Sequence, residues 1–352
     1  MPARPSLRAV ATAVGVSPAT VSNAYNRPDQ LSGALRERIF DVAATIGYAG
    51  PDPTASSLRS RRTGAVGVLF AQELAYAFDD PYLSVLLAGV AETVTAAGSN
   101  LLLMPVGPHR VSRRYSRSEE VGLLQGVRRA AVDGVVADGV HASHPALRVL
   151  SERGVPLVST TEGVGDGCVL VDDHAAGRAL AEHLRSLGHV DVTVLVDSTD
   201  DGQPVVDPLP DALLPYARLR LDGFRAGLEP GRATVLSAGA NTRSAGRRAA
   251  RRALAAIPRP TAIAATTDVL ALAVLDEMRD QGLRPGTDVS VTGFDDVAPA
   301  ARAGLTTVRQ PVREKGRAMG RMLLDPAPGE SREVLTTELV VRSSTGPSHR
   351  GE

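Results

Sequence analysis

The segment LRAVATAVGVSPATVSNAY, residues 7–25, decides the organisation of the amino-terminal part of this chain. Its first half places apolar side chains at positions i, i+3, i+4 and i+7, which is one face of a helix: Leu7, Val10, Ala11 and Val14. Ser6 precedes this face as a helix N-cap, and Gly15 breaks the pattern. Ser17 and Pro18 then supply a capping serine and a proline at the first helical position. Two short helices separated by a tight glycine turn are therefore predicted.

The following residues predict a third helix. The second helix runs to about Tyr25 and ends at residues 26–28, and the third begins near Ser32 and stops at Gly47. Apolar residues again share one face of this third helix: Leu35, Ile39, Val42 and Ile46. Three such helices follow the helix-turn-helix plan, in which the second helix lies in the major groove of DNA. The periodicity alone fits a generic three-helix bundle equally well.

Length and composition indicate a globular protein of two or three domains. The 352 residues are 43% apolar and 22% charged, which is typical of a chain with a sizeable core. No run approaches the roughly 18 uninterrupted apolar residues of a membrane span, so no membrane partner is expected. Cys168 is the single cysteine, which excludes an internal disulfide and a cysteine-based zinc site. Neither a metal site nor a cofactor is expected.

The net charge of zero hides an asymmetry between the two ends of the chain. Residues 1–62 contain eight arginines and four acids, which leaves this part with an excess of four positive charges. Lys315 is the only lysine, so guanidinium groups, which suit phosphate and base edges, carry the positive charge of the head. A short basic head on an acidic body is typical of a protein whose one end meets an acidic polymer.

The amino terminus does not read as a secretion signal. The stretch Leu7–Ala19 is rich in alanine and valine, but polar or helix-breaking residues interrupt it and it lacks an apolar block of seven or more residues. A cytoplasmic location is therefore expected.

The body, residues 64 to about 345, alternates short apolar runs with helical patterns. The strand candidates are Ala65–Phe70, Asn100–Pro105, Gly134–Ala137, Pro156–Ser159, Val192–Val196, Ala262–Ala265 and Val289–Gly293. Helices are predicted between them at Tyr82–Ala97, Ala175–Leu187 and Leu270–Gln281. This alternation predicts doubly wound α/β lobes with parallel sheets, whose ligands bind at the carboxyl ends of the strands. The loop 198–215, with its acids and four prolines, is expected to be a surface insertion.

The motif V-A-x-x-x-G-V-S-x-x-T-V-S-x-x-x-N, which runs from Val10 to Asn26, resembles the head of the lactose- and galactose-repressor (LacI/GalR) family of bacterial transcription factors. The resemblance continues in the body, for example in VDGVVADG, RGVPLVS and TTDVLALAVLDEMRDQGLRPGTDVSVTGFDD. It implies an all-α helix-turn-helix head and a two-lobed α/β body like that of periplasmic binding proteins.

The resemblance also implies domain limits. The head is expected at residues 1–50, a hinge helix at 51–63, the effector-binding and dimerisation body at 64–345 and a disordered tail at 346–352. Lobe 1 is expected at about 64–187 and 297–333, and lobe 2 at about 188–296 and 334–345. The three crossings between the lobes would fall near Gly188, Asp296 and Glu333.

Roles in DNA binding follow from the positions that match the family's motif. Base-reading positions are occupied by Pro18, Ala19 and Asn23, and phosphate contacts are expected from Ser17, Thr20, Ser22, Asn26 and Ser32. Pro18 and Ala19 offer only apolar contact, for instance to a thymine methyl group, whereas Asn23 suits bidentate pairing with adenine. Capping of helices is the plain alternative for Ser17 and Ser32, and both roles can hold together.

The linker matches the family's hinge helix, which orders on DNA and pushes a leucine into the minor groove. Leu58 matches that wedge, and an inserted leucine bends the duplex at the expense of base stacking. A flexible basic linker is the alternative, because so short a segment does not hold a helix in water by itself.

Five residues of the body match the family's effector-contacting positions: Tyr82, Phe78, Arg220, Asp268 and Asp295. Arg220 and Asp268 would bind polar groups of the ligand, and Tyr82 or Phe78 would supply an aromatic surface. The alternatives are surface ion pairs for Arg220 and Asp268 and a core position for Tyr82.

The resemblance therefore implies a transcriptional regulator, most simply a repressor, that binds double-stranded operator DNA as a homodimer. A small-molecule effector, a sugar by family habit, would bind between the lobes and control operator affinity. The rival interpretation is a solute-binding protein of a transporter, which would share the two-lobed body but lack the helical head. A sugar-processing enzyme is not supported, because no catalytic motif is found and the pair His141 and His144 is expected in a surface loop.

Overall fold

A computed structural model of the chain describes residues 5–51, 62–107, 117–199, 204–207, 213–325 and 331–348. The chain divides into two compact units, residues 1–63 and 64–352. This division coincides with the expected start of the body at residue 64. The expected wedge Leu58, most of the hinge and part of the loop 198–215 lie outside the described residues.

Three α-helices lie in the described part of the first unit, α1 (Leu7–Val14), α2 (Pro18–Asn26) and α3 (Gly33–Thr45), with a short 3₁₀ helix at Pro28–Gln30. Ser6, Ser17 and Ser32 cap them, and each side chain accepts a hydrogen bond from the backbone N–H three residues further on. Gly15 adopts a left-handed φ of 80°, which turns the chain between α1 and α2. The capping serines and the glycine turn were all predicted from the sequence.

The three helices share a small core. Its buried members come from each helix: Val10, Ala11, Val14, Val21, Ala24, Ile39 and Ala43. The ring of Tyr25 packs edge-on against Phe40, with centroids 5.0 Å apart, and against Tyr48 at 6.1 Å. These contacts fix α2 on α3 and leave the opposite side of α2 facing outward.

The second unit alternates strands with helices. Its strands are β1 (Ala65–Phe70), β2 (Asn100–Pro105), β3 (Gly134–Asp138), β4 (Leu157–Ser159), β5 (Gly167–Val171), β6 (Asp191–Asp197), β7 (Val205–Val206), β8 (Arg232–Gly239), β9 (Ala262–Ala265), β10 (Ser290–Thr292), β11 (Thr307–Arg309), β12 (Ser331–Leu335) and β13 (Glu338–Val340). Its helices are α4 (Tyr76–Asp79), α5 (Pro81–Ala96), α6 (Arg117–Leu123), α7 (Gln125–Arg129), α8 (Pro145–Glu152), α9 (Asp173–Ser186), α10 (Pro215–Leu228), α11 (Arg243–Leu254), α12 (Asp268–Asp280), α13 (Ala298–Arg302) and α14 (Val312–Leu324). Within the described ranges, no helix has both the length and the apolar character that crossing a bilayer requires.

Two sheets define two lobes, which confirms the predicted α/β fold class. The sheet of the first lobe is parallel and has the order β12-β5-β4-β3-β1-β2. The sheet of the second lobe has the order β10-β9-β6-β8-β7 and is parallel except for β7. Helices cover the sheets, and the inner strands of both sheets carry mostly buried aliphatic side chains, as doubly wound sheets require.

The chain crosses between the lobes at three places, two of which differ from the expectation. The first crossing lies between β5 and α9 rather than near Gly188, because α9 packs on α10 and on the second sheet. The second lies between β11 and α14 rather than near Asp296, because α14 packs against α5 in the first lobe. The third, between β12 and β13, is close to the expected Glu333. The first two crossings differ from the expected positions because each helix belongs to the lobe against which its apolar face packs: α9 to the second lobe and α14 to the first.

The carboxyl-terminal residues up to 348 are held against the second lobe, which corrects the expectation of a disordered tail from residue 346. Ser344 is buried, its backbone oxygen accepts from the N–H of Val291 at 2.8 Å, and its hydroxyl donates to the oxygen of Val291 at 2.6 Å. The Gly346 oxygen lies 3.0 Å from Nε2 of the buried His189. The serine- and glycine-rich composition suggested disorder, but small residues also allow the backbone to approach a strand closely.

Glycines let pairs of helices approach closely in both lobes. Gly177 on α9 faces the carbonyl group of Arg220 on α10, and a Cβ atom there would lie inside the van der Waals radius of the carbonyl oxygen. Gly89 on α5 and Gly316 on α14 are in similarly close contact with the backbone of the opposite helix. The position of Arg220 therefore depends on the lack of a side chain at Gly177.

Substitution Gly177→Ala is expected to destabilise the body by about 1–3 kcal/mol, because the new methyl group must push α9 and α10 apart. Urea unfolding of the full chain measures this change. Gly126→Ala is the matched control, since Gly126 also lies in a helix and nothing lies within 4 Å of the added atom. Equal stabilities of the two variants would contradict the close packing.

Candidate functional site

The amino-terminal turn of α2 exposes the residues predicted to contact DNA. Ser17, Pro18 and Ala19 are exposed, and Thr20 is half-buried. The Ser17 hydroxyl accepts from the backbone N–H of Thr20 at 3.1 Å and lies 2.8 Å from the Thr20 hydroxyl. Ser17 is therefore a helix cap that also remains at the surface, so the capping and phosphate-binding roles are compatible.

The polar residues further along α2 are ordered by local hydrogen bonds. The Asn26 amide donates to the Ser22 backbone oxygen at 3.0 Å and to its hydroxyl at 3.2 Å. The Asn23 amide donates to the side-chain oxygen of Gln30 at 3.3 Å. Ser32 is exposed and caps α3. The predicted DNA-contacting set thus lies on α2 and at the start of α3, with Asn23 held in an orientation set by Gln30.

The second unit contains a pocket between its two lobes. First-lobe residues line one side: Phe70, Ala71, Gln72, Tyr76, Asp80, Tyr82, Leu83, Asp138, Gly139, Thr160, Thr161 and Lys315. Second-lobe residues line the other: Asp173, Leu214, Tyr216, Arg220, Asn241, Thr267 and Asp295. Most of them follow the carboxyl end of a strand, which is where open α/β sheets bind ligands.

Arg220 is the centre of the second-lobe wall. Its Nε donates to Asp173 at 2.8 Å, and Nη1 donates to the Thr266 carbonyl at 2.6 Å and lies 3.7 Å from Asp295. Its guanidinium carbon lies 3.5 Å from the centroid of Phe294. Burial opposes its charge, but Asp173 and Asp295 raise the pKa of Arg220 above its usual value, so it is a fixed cation.

A chain of polar groups joins the two lobes across the pocket. The Asn241 amide of the second lobe donates to the Tyr76 hydroxyl at 2.9 Å, and that hydroxyl donates to Asp80. The second Asp80 oxygen accepts from the backbone N–H of Tyr82 at 2.8 Å and caps α5. Burial raises the pKa of Asp80, although these hydrogen bonds oppose the shift. The pocket therefore contains a direct contact between the lobes.

Comparison with known proteins assigns both units. Residues 6–50 match the family model described as bacterial regulatory proteins, lacI family, and residues 181–345 match a periplasmic binding protein-like domain. An HTH-type transcriptional regulator of Mycolicibacterium smegmatis is 41% identical, and the alignment covers 98% of each chain. The chain belongs to the LacI family of bacterial regulatory proteins.

Two solved LacI-family structures share the whole architecture. The transcriptional regulator CelR in complex with cellobiose is 28% identical, with a TM-score of 0.67, and the match covers 97% of this chain and all of CelR (100%). The lac repressor dimer bound to operator and the anti-inducer ONPF has a TM-score of 0.73 at 23% identity and shows the same fold over 97% of this chain and 99% of the repressor.

This LacI-family chain is thus a transcriptional regulator, as predicted. The match of the head to the LacI family and the full-length similarity to a regulator favour this function over that of a transporter's solute-binding protein. The relatives compared are transcriptional regulators and not enzymes.

Three of the five residues predicted to bind an effector in this LacI-family body line the pocket. Tyr82, Arg220 and Asp295 face it from both lobes. Asp295 has a backbone φ of 122°, a conformation that only a well-determined environment maintains. Phe78 lies outside the lining and is 70% exposed, because it sits on the short helix α4, whose Tyr76 is the aromatic residue that turns inward.

Asp268 also lies outside the pocket lining. It is fully buried (0% exposed), and its carboxylate accepts from the Thr307 hydroxyl at 2.6 Å and from the Val297 backbone N–H at 2.9 Å. Thr307 begins β11, which leads to the second crossing. The structure therefore gives Asp268 a bracing role beneath the crossing strand, and the neighbouring Thr267 faces the pocket instead.

Several polar pocket residues were not found from the sequence: Asp80, Asp138, Asp173, Tyr216, Asn241 and Lys315. They come from distant segments, so no local spacing links them. Lys315 did carry a signal, because this only lysine lies on the apolar face of α14 together with Val312 and Met319. A charged residue on a buried helix face indicates a specific polar environment.

The predicted surface loop at His141 and His144 is different in the structure. His144 is buried and caps α8, where its Nδ1 accepts from the Ala146 backbone N–H at 3.1 Å. His141 lies against the hydroxyl of Ser143, 2.7 Å away. A histidine thus replaces the usual serine or aspartate at this N-cap.

Asp268 is expected to lower the free energy of unfolding of this regulator as the pH rises from about 4 to 7. Burial raises its pKa from 3.8 to about 7, so the native state keeps a proton that the unfolded state has already lost. Asp268→Asn removes this contribution and should flatten the decrease, although the lost hydrogen bond also lowers overall stability. Urea unfolding at pH 5, 6 and 7 measures the slope, and parallel slopes for both proteins would contradict the shift.

Proposed function

We propose that this regulator is a repressor that binds a near-palindromic operator as a homodimer and whose operator affinity is controlled by a small molecule. The observation that carries the proposal is the pocket, which is lined by polar groups of both lobes. A ligand bound there would contact both lobes, so its affinity would depend on the distance between them. The domains proposed are a DNA-binding head at residues 1–50, a hinge at 51–63 and an effector-binding and dimerisation body that begins at residue 64.

The head would read DNA through α2. Pro18, Ala19 and Asn23 would meet base edges, and hydroxyl and amide groups around them would hold phosphates: Ser17, Thr20, Ser22, Asn26 and Ser32. Their surface positions on α2 and at the start of α3 support this assignment. Two heads on a two-fold dimer would read two half-sites, so the symmetry of the operator would mirror that of the protein.

The effector would bind between the lobes. A ligand that contacts both Arg220 and Tyr82 would change the relative angle of the lobes, because these residues lie on opposite walls. The hinges, with Leu58 as the wedge into the minor groove, would then order or melt, which links effector and operator affinity reciprocally. A sugar is the proposed effector class, and the cellobiose complex of the similar regulator CelR supports it.

The protein would act in the cytoplasm, at the nucleoid, without catalysis of its own. Its relatives are transcriptional regulators. The polar pocket residues that the structure describes form hydrogen bonds with one another or face the cavity. Ligand binding is therefore the only chemistry proposed for the pocket.

Footprinting of genomic fragments with the full chain tests the proposal. A protected palindrome is expected, and its protection should change when the effector sugar is added. Absence of any protected palindrome, with or without candidate sugars, would contradict it.

Substitution Asn23→Ala is expected to weaken operator binding by about 1–3 kcal/mol and to relax the preference at one base pair of each half-site, because a bidentate base contact is lost. Fluorescence anisotropy with operator variants at fixed salt measures both effects. Thr45→Ala is the control, since Thr45 lies on α3, outside the proposed DNA-contacting set, and its hydroxyl donates to the Asp41 carbonyl. An unchanged base preference would remove Asn23 from the base-reading set.

A further inference from the structure

Lys315 lies in the floor of the interlobe pocket, although it is the only lysine of the chain and is just 5% exposed. It occupies the first turn of α14, directly after the second crossing. A helix that needed only an apolar face would place an aliphatic residue here, as it does at Val312 and Met319. We therefore attribute the buried ammonium group of Lys315 to a function in the pocket and not to the packing of α14.

The hydrogen bonds of Lys315 are incomplete. Within the described part of the chain its Nζ has one hydrogen bond, to the Tyr82 hydroxyl at 3.3 Å, and that hydroxyl donates to Asp138 Oδ1, also at 3.3 Å. An ammonium carries three N–H donors, so two remain without an acceptor. Both bonds are long, and a buried donor without an acceptor costs free energy. An oxygen atom of a ligand at this place would complete the arrangement.

The charged residues that line the pocket restrict the chemical class of the ligand that supplies this oxygen atom. Four carboxyl groups line the cavity, those of Asp80, Asp138, Asp173 and Asp295, against two cations, Arg220 and Lys315. Arg220 is already engaged by Asp173 and lies near Asp295. Burial raises the pKa of Asp80, Asp138 and Asp295, which shows that the cavity already disfavours negative charge. A phosphate or carboxylate ligand would add a further negative charge to the same site of low dielectric constant, beside these carboxyl groups.

A hydroxyl group fits where an anionic oxygen does not. It accepts from Lys315 and at the same time donates to Asp138, whereas a phosphate oxygen without a proton only accepts. The two partners lie on either side of the Tyr82 hydroxyl, which now links them through its two long bonds.

We propose that Lys315 determines effector specificity, and that the effector is an uncharged polyhydroxylated molecule with one hydroxyl group bound between Lys315 and Asp138. This inference rests on the proposed role of the pocket as the effector site. It adds that phosphorylated and carboxylated sugars are rejected.

Matched pairs of compounds test the ligand class on the full-length protein. Thermal shift and calorimetry would compare D-glucose, D-galactose, D-ribose, cellobiose and sorbitol with their charged counterparts glucose 6-phosphate, galactose 1-phosphate, ribose 5-phosphate, cellobionate and sorbitol 6-phosphate. At least one uncharged compound is expected to raise the melting temperature, and its charged counterpart is expected to bind at least 10-fold more weakly. Equal or tighter binding of the charged member, or no binding by any uncharged compound, would overturn the class.

Lys315→Met tests the residue itself. It should weaken the uncharged ligand by about 10- to 100-fold, the effect of one lost hydrogen bond to a charged group. The unliganded melting temperature should fall, because loss of the cation leaves the buried carboxyl group of Asp138 without its opposite charge. Arg321→Met is the control on the exposed face of the same helix. Unchanged affinity in Lys315→Met, or an equal loss of affinity in Arg321→Met, would overturn the specificity role.

The two proposals fail separately. A bound sugar that leaves operator affinity unchanged would contradict effector control but keep the ligand class. An operator response to a phosphorylated sugar alone would keep the regulatory function and overturn the present inference.

Discussion

The buried guanidinium of Arg220 is the interaction on which the body depends. It joins α10 to α9 through Asp173, to the end of β9 through the Thr266 carbonyl and to the loop after β10 through Asp295. A charge removed from water must find all its partners, so these segments are held in one arrangement. Because α9 starts immediately after the first crossing, the same cluster sets both the pocket wall and the point where the second lobe begins.

The sequence predicted the local structure far better than the site. Serine caps, the Gly15 turn and strands such as Ala65–Phe70 are local signals, and the structure has them at the predicted residues. The arginine-rich α11 was not predicted, since its apolar face is made largely of alanine and glycine. Pocket residues such as Asp138 converge only through the fold. Asp268 matched a family position, yet its hydrogen-bond partners Thr307 and Val297 direct it away from the cavity.

The crossing segments are braced by charge as well as by strand pairing. Asp296 accepts from Arg309 on β11 at 2.7 Å and from Arg342, just after β13, at 2.6 Å. The second crossing follows β11 and the third precedes β13, so the antiparallel pair β11–β13 joins these two crossings in one two-stranded ribbon. Under the proposed function, one lobe would move against the other by bending around this ribbon, and a ligand between the lobes would set the angle.

The ordered carboxyl-terminal segment has a consequence for protein engineering. Truncation after residue 342 would remove Ser344 from the edge of the second lobe, where its hydroxyl accepts a hydrogen bond from the Thr306 N–H. It would also uncover His189, now enclosed by Gly346, Thr261 and Ser290. Reporter fusions or purification tags therefore belong beyond residue 348, so that the contacts of Ser344 and Gly346 stay intact.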